Sequence, residues 1–411
     1  MTNSLSASFA AYWSRRMQAT NYRTAVYIPI VSMEEQDTLK KGNVVHRPYR
    51  STLYPRAYSR GTAVTIRDIT DTDESLTVDT AEVVPFYVDD LDALQHNYKV
   101  MNEYADDATT VLTNFIDGVI LGEVTNAQSS VDDSTINGGT SGNGFTLTTA
   151  NIIRMFTEAK KKLQKKNIKM NNLFGVISPE VESVLMNFLA NRETALGDST
   201  GMNGNIGKYM GFDLYVSNGL LFTADLLVGT QPTDGDTVTI NGVAFTFKTT
   251  LGTTAGNVLI GANAAAARVN LARAINNTNS AAASAVDSSA TYVELTAANR
   301  DLLIGCTGTD DAATKVSISF QGIGVITVSE TLTAAADVWT GAKQIQHQMF
   351  GVKGAIDLVI QKRPNVEVKD VPDKLGKNII PWTLFGKKTF TEGARQLVDV
   401  KVRADSGQGA F

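Results

Sequence analysis

The side chains of this sequence with the widest chemical repertoire are three histidines, one cysteine and a run of lysines, and their spacing builds no reactive constellation. His46, His96 and His347 stand far apart, without the His-x-x-x-His interval that sets two imidazoles on one helical face for a metal. Gly201 to Lys208 approaches a phosphate-cradling loop. Met202, however, takes the place of the first required glycine, and Tyr209 that of the hydroxyl residue that would meet magnesium. No Gly-x-Ser-x-Gly elbow is present to hold a serine nucleophile. Lys160, Lys161, Lys162, Lys165, Lys166 and Lys169 gather where a helix ends, and the negative end of the helix dipole accounts for them without nucleic acid. Cys306 is single, which rules out an intramolecular disulfide and fits folding in a reducing compartment, where it reads as a small buried hydrophobe. These patterns predict no catalytic residue, no cofactor and no metal.

The charges between Gly42 and Glu82 suggest chemistry of another kind. Arg47, Arg50, Arg56, Arg60 and Arg67 come first with no acid among them; Asp68, Asp71, Asp73, Glu74, Asp79 and Glu82 follow with no base. Such a segment is a charge dipole. Head-to-tail contacts around a ring can set its basic arm against the acidic stretch of the next copy, and the planar fork of arginine pairs carboxylates bidentately. Each exposed pair contributes about 0 to 1 kcal/mol. Strength must therefore come from repetition. Phe9 and Trp13, with Tyr12 and Met17, give the N-terminal segment an aromatic face that suits a neighbour or the chain's own core. The expected inter-subunit contacts are Phe9, Trp13, Arg47, Arg50, Arg56, Arg60, Arg67, Asp71, Asp73 and Glu74.

The elements that must carry these groups are legible in the periodicity. Residues 5 to 18 repeat apolar positions at three and four, a short amphipathic helix. From Gly42 to Tyr87 alternation at Val64 and Ile66, and again at Leu76 and Val78, predicts a long hairpin whose prolines, Pro48, Pro55 and Pro85, suit edge strands. A two-stranded hairpin is marginal in water, so a second surface has to complete it. Asp89 or Asp90 then caps a helix with the stripe Leu91, Leu94, Tyr98, Met101, Tyr104, Ala108, Val111, Leu112, Phe115, Val119 and Ile120. About thirty residues of helix reach roughly 45 Å.

Residues 127 to 146, rich in glycine, read as a mobile loop. Beyond them a helix from Thr149, a strand at Leu173 to Ile177, a helix opening at Ser178-Pro179 and a strand at Gly211 to Val216 give a mixed α and β half. Strands follow at Ala355 to Gln361 and Gln396 to Val402.

With 411 residues and 43 % hydrophobic content, more than one core is expected, and no run of eighteen apolar residues is available to span a membrane. The N-terminus lacks a secretory signal pattern. A net charge of -5 argues against a chain whose work is gripping phosphates. Between 224 and 340 the composition turns to Ala, Thr, Gly and Val, with ten acids against five bases, so the excess of five acids in that stretch equals the whole net charge. Strict alternation about Asn241-Gly242 marks a hairpin there, followed by a helix from Ala264 to Ile275 and strands near Tyr292 to Leu295, Val316 to Phe320 and Val325 to Val328. This stretch is expected to be an inserted β-rich domain on an outer surface.

The order of parts resembles the major capsid (coat) proteins of tailed bacteriophages. The wording lies in Thr77-Val78-Asp79 through Pro85-Phe86-Tyr87-Val88-Asp89-Asp90 to Gln95, in Gly204 to Phe212 with Tyr215-Val216-Ser217-Asn218, and in Gly341-Ala342 onward. The resemblance implies the α+β Johnson-type phage capsid fold, divided into an N-terminal arm (1–41), an extended loop (42–87), a spine helix of the peripheral domain (88–126), a first axial part (127–223), the insert (224–340) and a return to axial and peripheral domains (341–411). It also implies a subunit of hexamers and pentamers in an icosahedral virion shell assembled in the bacterial host cytoplasm. The implied partners are a separate scaffolding protein, a portal protein at one vertex, a possible decoration protein and only non-specific contact with packaged DNA. Crosslinking through a loop lysine, known in some members, is not expected, because Gly42 to Tyr98 holds none. The alternatives from the same residues are an encapsulin-like nanocompartment shell and a surface-layer or adhesin protein, the latter opposed by the missing secretory signal.

Overall fold

A computed structural model describes residues 23–39, 41–50, 53–64, 66, 68–89, 100–190, 207–276, 291–321, 325–371 and 375–404. The aromatic segment with Phe9 and Trp13, Arg67, residues 90–99 and the motif at 204–206 lie outside them.

Strand Ile345–Val352 is the middle of a sheet of nine strands among the described residues. Along one edge it pairs antiparallel with Leu397–Arg403. Its other edge is shared between Phe222–Leu227, at Ile345 and Gln346, and Leu173–Ile177, at Met349 to Val352. Lys315–Phe320 and Cys306–Asp310 extend the sheet past Phe222–Leu227, and Phe212–Val216 with Lys208–Tyr209 extends it on the far side.

Side chains of a strand alternate between two faces, and the buried ones here serve two cores. Phe350, Val398 and Val400 pack with helices Ile152–Lys165 and Pro179–Ala190, whereas Met349, Leu397 and Val176 pack with Ile116, Val119 and Ile120 of the long helix Val100–Gly122. Phe350 meets Phe156 and Phe212 edge-on, with centroids 5.4 and 5.2 Å apart. Such contacts add about 0.5–1.5 kcal/mol each beyond the area they bury.

Several expectations need correction. Asp89 closes strand Phe86–Asp89, which finds a ladder partner in Gly376–Ile379, while Asp90 and the first turns expected of the long helix lie outside the described residues. On that helix Tyr104 and Val111 are exposed, while Ile116 is fully buried. The glycine-rich stretch is an organised turn. Asp132 accepts from the Thr135 and Gly142 amides and from the hydroxyls of Ser134, Thr135 and Ser141, which ties a strand, Ser129–Val131, to a one-turn helix, Asp133–Ile136. Those hydrogen bonds hold the Asp132 carboxyl well below the usual carboxylate range, although burial opposes them.

The acidic stretch is only partly a body of its own. Thr237–Ile240 and Val243–Lys248 form the expected hairpin, with φ of 48° at Asn241 and 79° at Gly242, the left-handed pair a tight primed turn requires. Asn257–Leu259 and Val328–Glu330 complete a four-stranded sheet, and helix Ala264–Asn276 packs into the same core. Lys315–Phe320 and Cys306–Asp310 instead belong to the nine-stranded sheet, so sheet continuity runs across position 224. Tyr292 makes a single bridge to Val258 in place of a strand.

A last layer is a long ribbon, Asp357–Asp370 paired with Gly376–Lys388. Pro364 sits where the register shifts, a place where its missing N–H removes no ladder bond. Thr80–Val83 joins Trp382 to Phe385 on the opposite edge of Gly376–Lys388.

Candidate assembly interface

The segment expected as one long hairpin divides in two. Val44–His46 pairs with Ser75–Thr77 and Tyr49–Arg50 with Asp71–Thr72, and there the pairing ends. Residues 80–89 leave it for the ribbon, because Thr80–Val83 and Phe86–Asp89 complete ladders that the body offers. Val64 and Ile66, read as a strand, lie in no strand at all.

The paired base is bound into the body. Leu76 and Val78 are buried with Leu39, Val359 and Phe390. Arg47 lies over the Phe390 ring, 5.2 Å from its centroid, and its Nη1 reaches Asp357 Oδ2 at 3.1 Å. The Arg47 amide donates to the Glu74 carbonyl at 2.7 Å. The Glu74 carboxylate accepts from the Thr391 amide at 3.0 Å and from the Thr391 hydroxyl. His46 Nδ1 stands 2.8 Å from Asp73 Oδ2, a pair open to solvent.

Beyond this base every described residue from Leu53 to Asp73 is exposed. Leu53, Tyr54, Tyr58, Val64 and Ile69 are each about 70 % exposed and Ile66 is 88 % exposed. An isolated exposed apolar side chain is ordinary; six within one unpaired loop are not. Among the described residues no ion pair involves Arg50, Arg56 or Arg60. The register sets Arg50 opposite Asp71.

The ten expected contact residues therefore fall into groups. Arg47, Asp73 and Glu74 are engaged by their own chain, Arg50 faces Asp71 across the hairpin, Arg56 and Arg60 stand free on the tip, and Phe9, Trp13 and Arg67 lie outside the described residues. A cavity of about 150 Å³ beneath the hairpin, bounded by Arg47, Glu74, Asp357, Phe390 and Glu392, was not anticipated. Its partners are some 310 residues apart in sequence, and no local pattern announces them. Burial, only partly offset by Arg47 and the Ser32 hydroxyl and reinforced by Glu34 and Glu35, pushes the Asp357 carboxyl up.

The segment before the loop is also anchored. Arg23 Nη1 donates to Asp117 Oδ2 at 2.6 Å and to Ser217 Oγ at 2.7 Å, while the Val26 amide meets Asp117 Oδ1 at 2.8 Å. Asp117 is wholly buried on the long helix. His347 bridges Thr223 Oγ1 and Asp399 Oδ1, each at 2.9 Å, but it is 5 % exposed within the sheet, where the seam satisfies buried polar groups. No described helix is long and apolar enough to cross a membrane.

No family model and no curated protein matches the sequence. Solved structures do. One from Mycobacterium phage Che8 is 15 % identical, with a TM-score of 0.58 over 96 % of this chain and 97 % of its own. The capsid structure of the cyanophage P-SCSP1u is 11 % identical, with a TM-score of 0.55 over 98 % and 95 %. The capsid of Ralstonia phage GP4 is 8 % identical, with a TM-score of 0.50 over 98 % and 97 %. Likeness at such identities concerns architecture: the chain has the α+β fold of tailed-phage capsid proteins.

Proposed function

We propose that this chain is the structural subunit that self-assembles, through hexamers and pentamers, into an icosahedral phage head around a DNA genome. The observation that carries the reading is the loop tip, where six large apolar side chains stand in solvent on a segment with no strand of its own, projecting from a base that is firmly packed. A lone subunit gains nothing from that arrangement. A second copy covering the tip buries the apolar groups, at about 25 cal/mol for each Å² removed from water. The shared architecture with phage capsids supports the same reading.

In this scheme residues 1–41 act as the arm, 42–87 as the extended loop, and the acidic excursion between 224 and 340 lies on the outer surface, where a decoration protein can dock. A separate scaffolding protein guides assembly in the host cytoplasm, a portal occupies one vertex, and DNA is touched without sequence preference. The test is expression of the chain alone and with the scaffolding protein of its source, followed by negative-stain microscopy. Closed shells are expected. A chain that stays monomeric under both conditions overturns the reading.

A further inference from the structure

We propose that the cavity beneath the hairpin is a socket for an arginine guanidinium from the loop tip of a second copy of this chain. The proposal rests on the assembly reading above and names the contact it would use. Asp357 is 6 % exposed, and its two oxygens differ: Oδ2 meets Arg47, whereas Oδ1 is buried and meets no hydrogen-bond partner among the described residues, with the Ser32 hydroxyl acting on the carboxylate beside Arg47. A dry, unpaired carboxylate oxygen is costly.

The surroundings are short of positive charge. Glu74 and Glu392 line the same cavity, and Glu34 and Glu35 act on Asp357 from beside it. Against them stands Arg47; Arg395 is paired with Glu392. Glu74 satisfies the amide and hydroxyl of Thr391, and no ion pair among the described residues includes it. The cavity thus lacks one cation that can also donate hydrogen bonds to Asp357 Oδ1.

The chain carries that group elsewhere. Arg56 and Arg60 lie on the exposed tip, with no acid among the described residues from Leu53 to Ile66, and Tyr54 and Tyr58 beside them offer apolar surface to cover the mouth. A guanidinium is weakly hydrated and presents donors in a plane, so it can serve Asp357 and Glu74 together. Neither Arg56 nor Arg60 is paired with an acid among the described residues of its own chain, which leaves the site to a neighbour.

The experiment mixes two variants, each with one introduced cysteine beside the native Cys306. Gln396→Cys marks the socket wall and leaves its carboxylates in place; Ala57→Cys or Ser59→Cys marks the tip and keeps both arginines. Cys306 is buried and its thiol pushed up to about 12, which keeps it silent. Under mild oxidation, crosslinked dimers are expected in assembled shells and not in unassembled chains. Asp357→Asn is expected to raise the subunit concentration for half-assembly by roughly tenfold. Normal shells in which neither mixture crosslinks overturn the socket and leave the assembly reading standing. So do crosslinks that form inside one double-cysteine chain, and so does an Asp357→Asn variant that assembles at the native concentration, which would mean that solvent or a free cation fills the cavity. Absence of shells from the native chain sinks both.

Discussion

The two ends of the hairpin differ in the resource that each lacks. At the base, Leu76 and Val78 are enclosed and Arg47, Asp73 and Glu74 have partners, so the chain itself supplies what the strands need. At the tip, among the described residues from Leu53 to Ile69, the large apolar side chains have no cover and Arg56 and Arg60 form no ion pair. Both ends are short, charged and interrupted by proline. What separates them is the presence of a body surface, provided by Val359, Phe390 and Asp357 for one end and by none of the described residues for the other. The teaching is that stability of the subunit and competence to assemble are written on adjacent residues of one element, and can be altered separately.

The sharpest test of this separation is Leu76→Ala. It removes a fully buried side chain from the base and should cost the isolated subunit about 2–5 kcal/mol in urea unfolding. A loss below about 0.5 kcal/mol would erase the distinction between the two ends. Next in size is a pH effect. The Asp357 carboxyl is raised in the fold by burial, so its contribution is fully present below the ordinary value of 3.8 and is lost as pH rises through the raised value. The hairpin base should therefore loosen from acid toward neutral pH, as read by hydrogen exchange, corrected for intrinsic rates, at the Arg47 and Val78 amides. Asp357→Asn should abolish that slope; an unchanged slope in the variant would assign it to another group.

At the tip, Ile66→Ser should leave unfolding free energy within about 0.5 kcal/mol of native while reducing shell yield in sedimentation assays. A clear stability loss would place the tip against its own body. Arg56→Glu should likewise fold normally and fail to assemble, with circular dichroism and microscopy as the two readouts. The smallest effect is expected for Asp71→Asn, opposite Arg50, where an exposed cross-strand pair contributes a few tenths of a kcal/mol.

Much of this architecture was legible because local physics declared it. Asn241-Gly242 demanded a primed turn, and the stripe through Ala108, Leu112, Val119 and Ile120 demanded a helix. The central strand Ile345–Val352 escaped, because Gln346, His347 and Gln348 are polar yet buried and erase the apolar signature. Their partners, Thr223, Ser178 and Asp399, come from three other parts of the chain. Gly376–Lys388 escaped through Pro381, a strand residue whose carbonyl still accepts from the Val84 amide. The charge dipole was visible in sequence, but the acceptor around Asp357 was not, since it exists only after the ribbon folds back beneath the hairpin.

The position of the sheet's middle strand also sets a timetable. Ile345–Val352 and its lateral partner Leu397–Arg403 leave the ribosome only after most of the 411 residues have been made. Until then Phe222–Leu227 and Leu173–Ile177, which share one edge of that strand, lack the partner that links them. Long-range pairing of this kind closes slowly and leaves strand edges open meanwhile. A truncation ahead of Ile345 therefore deletes the keystone and not the trim.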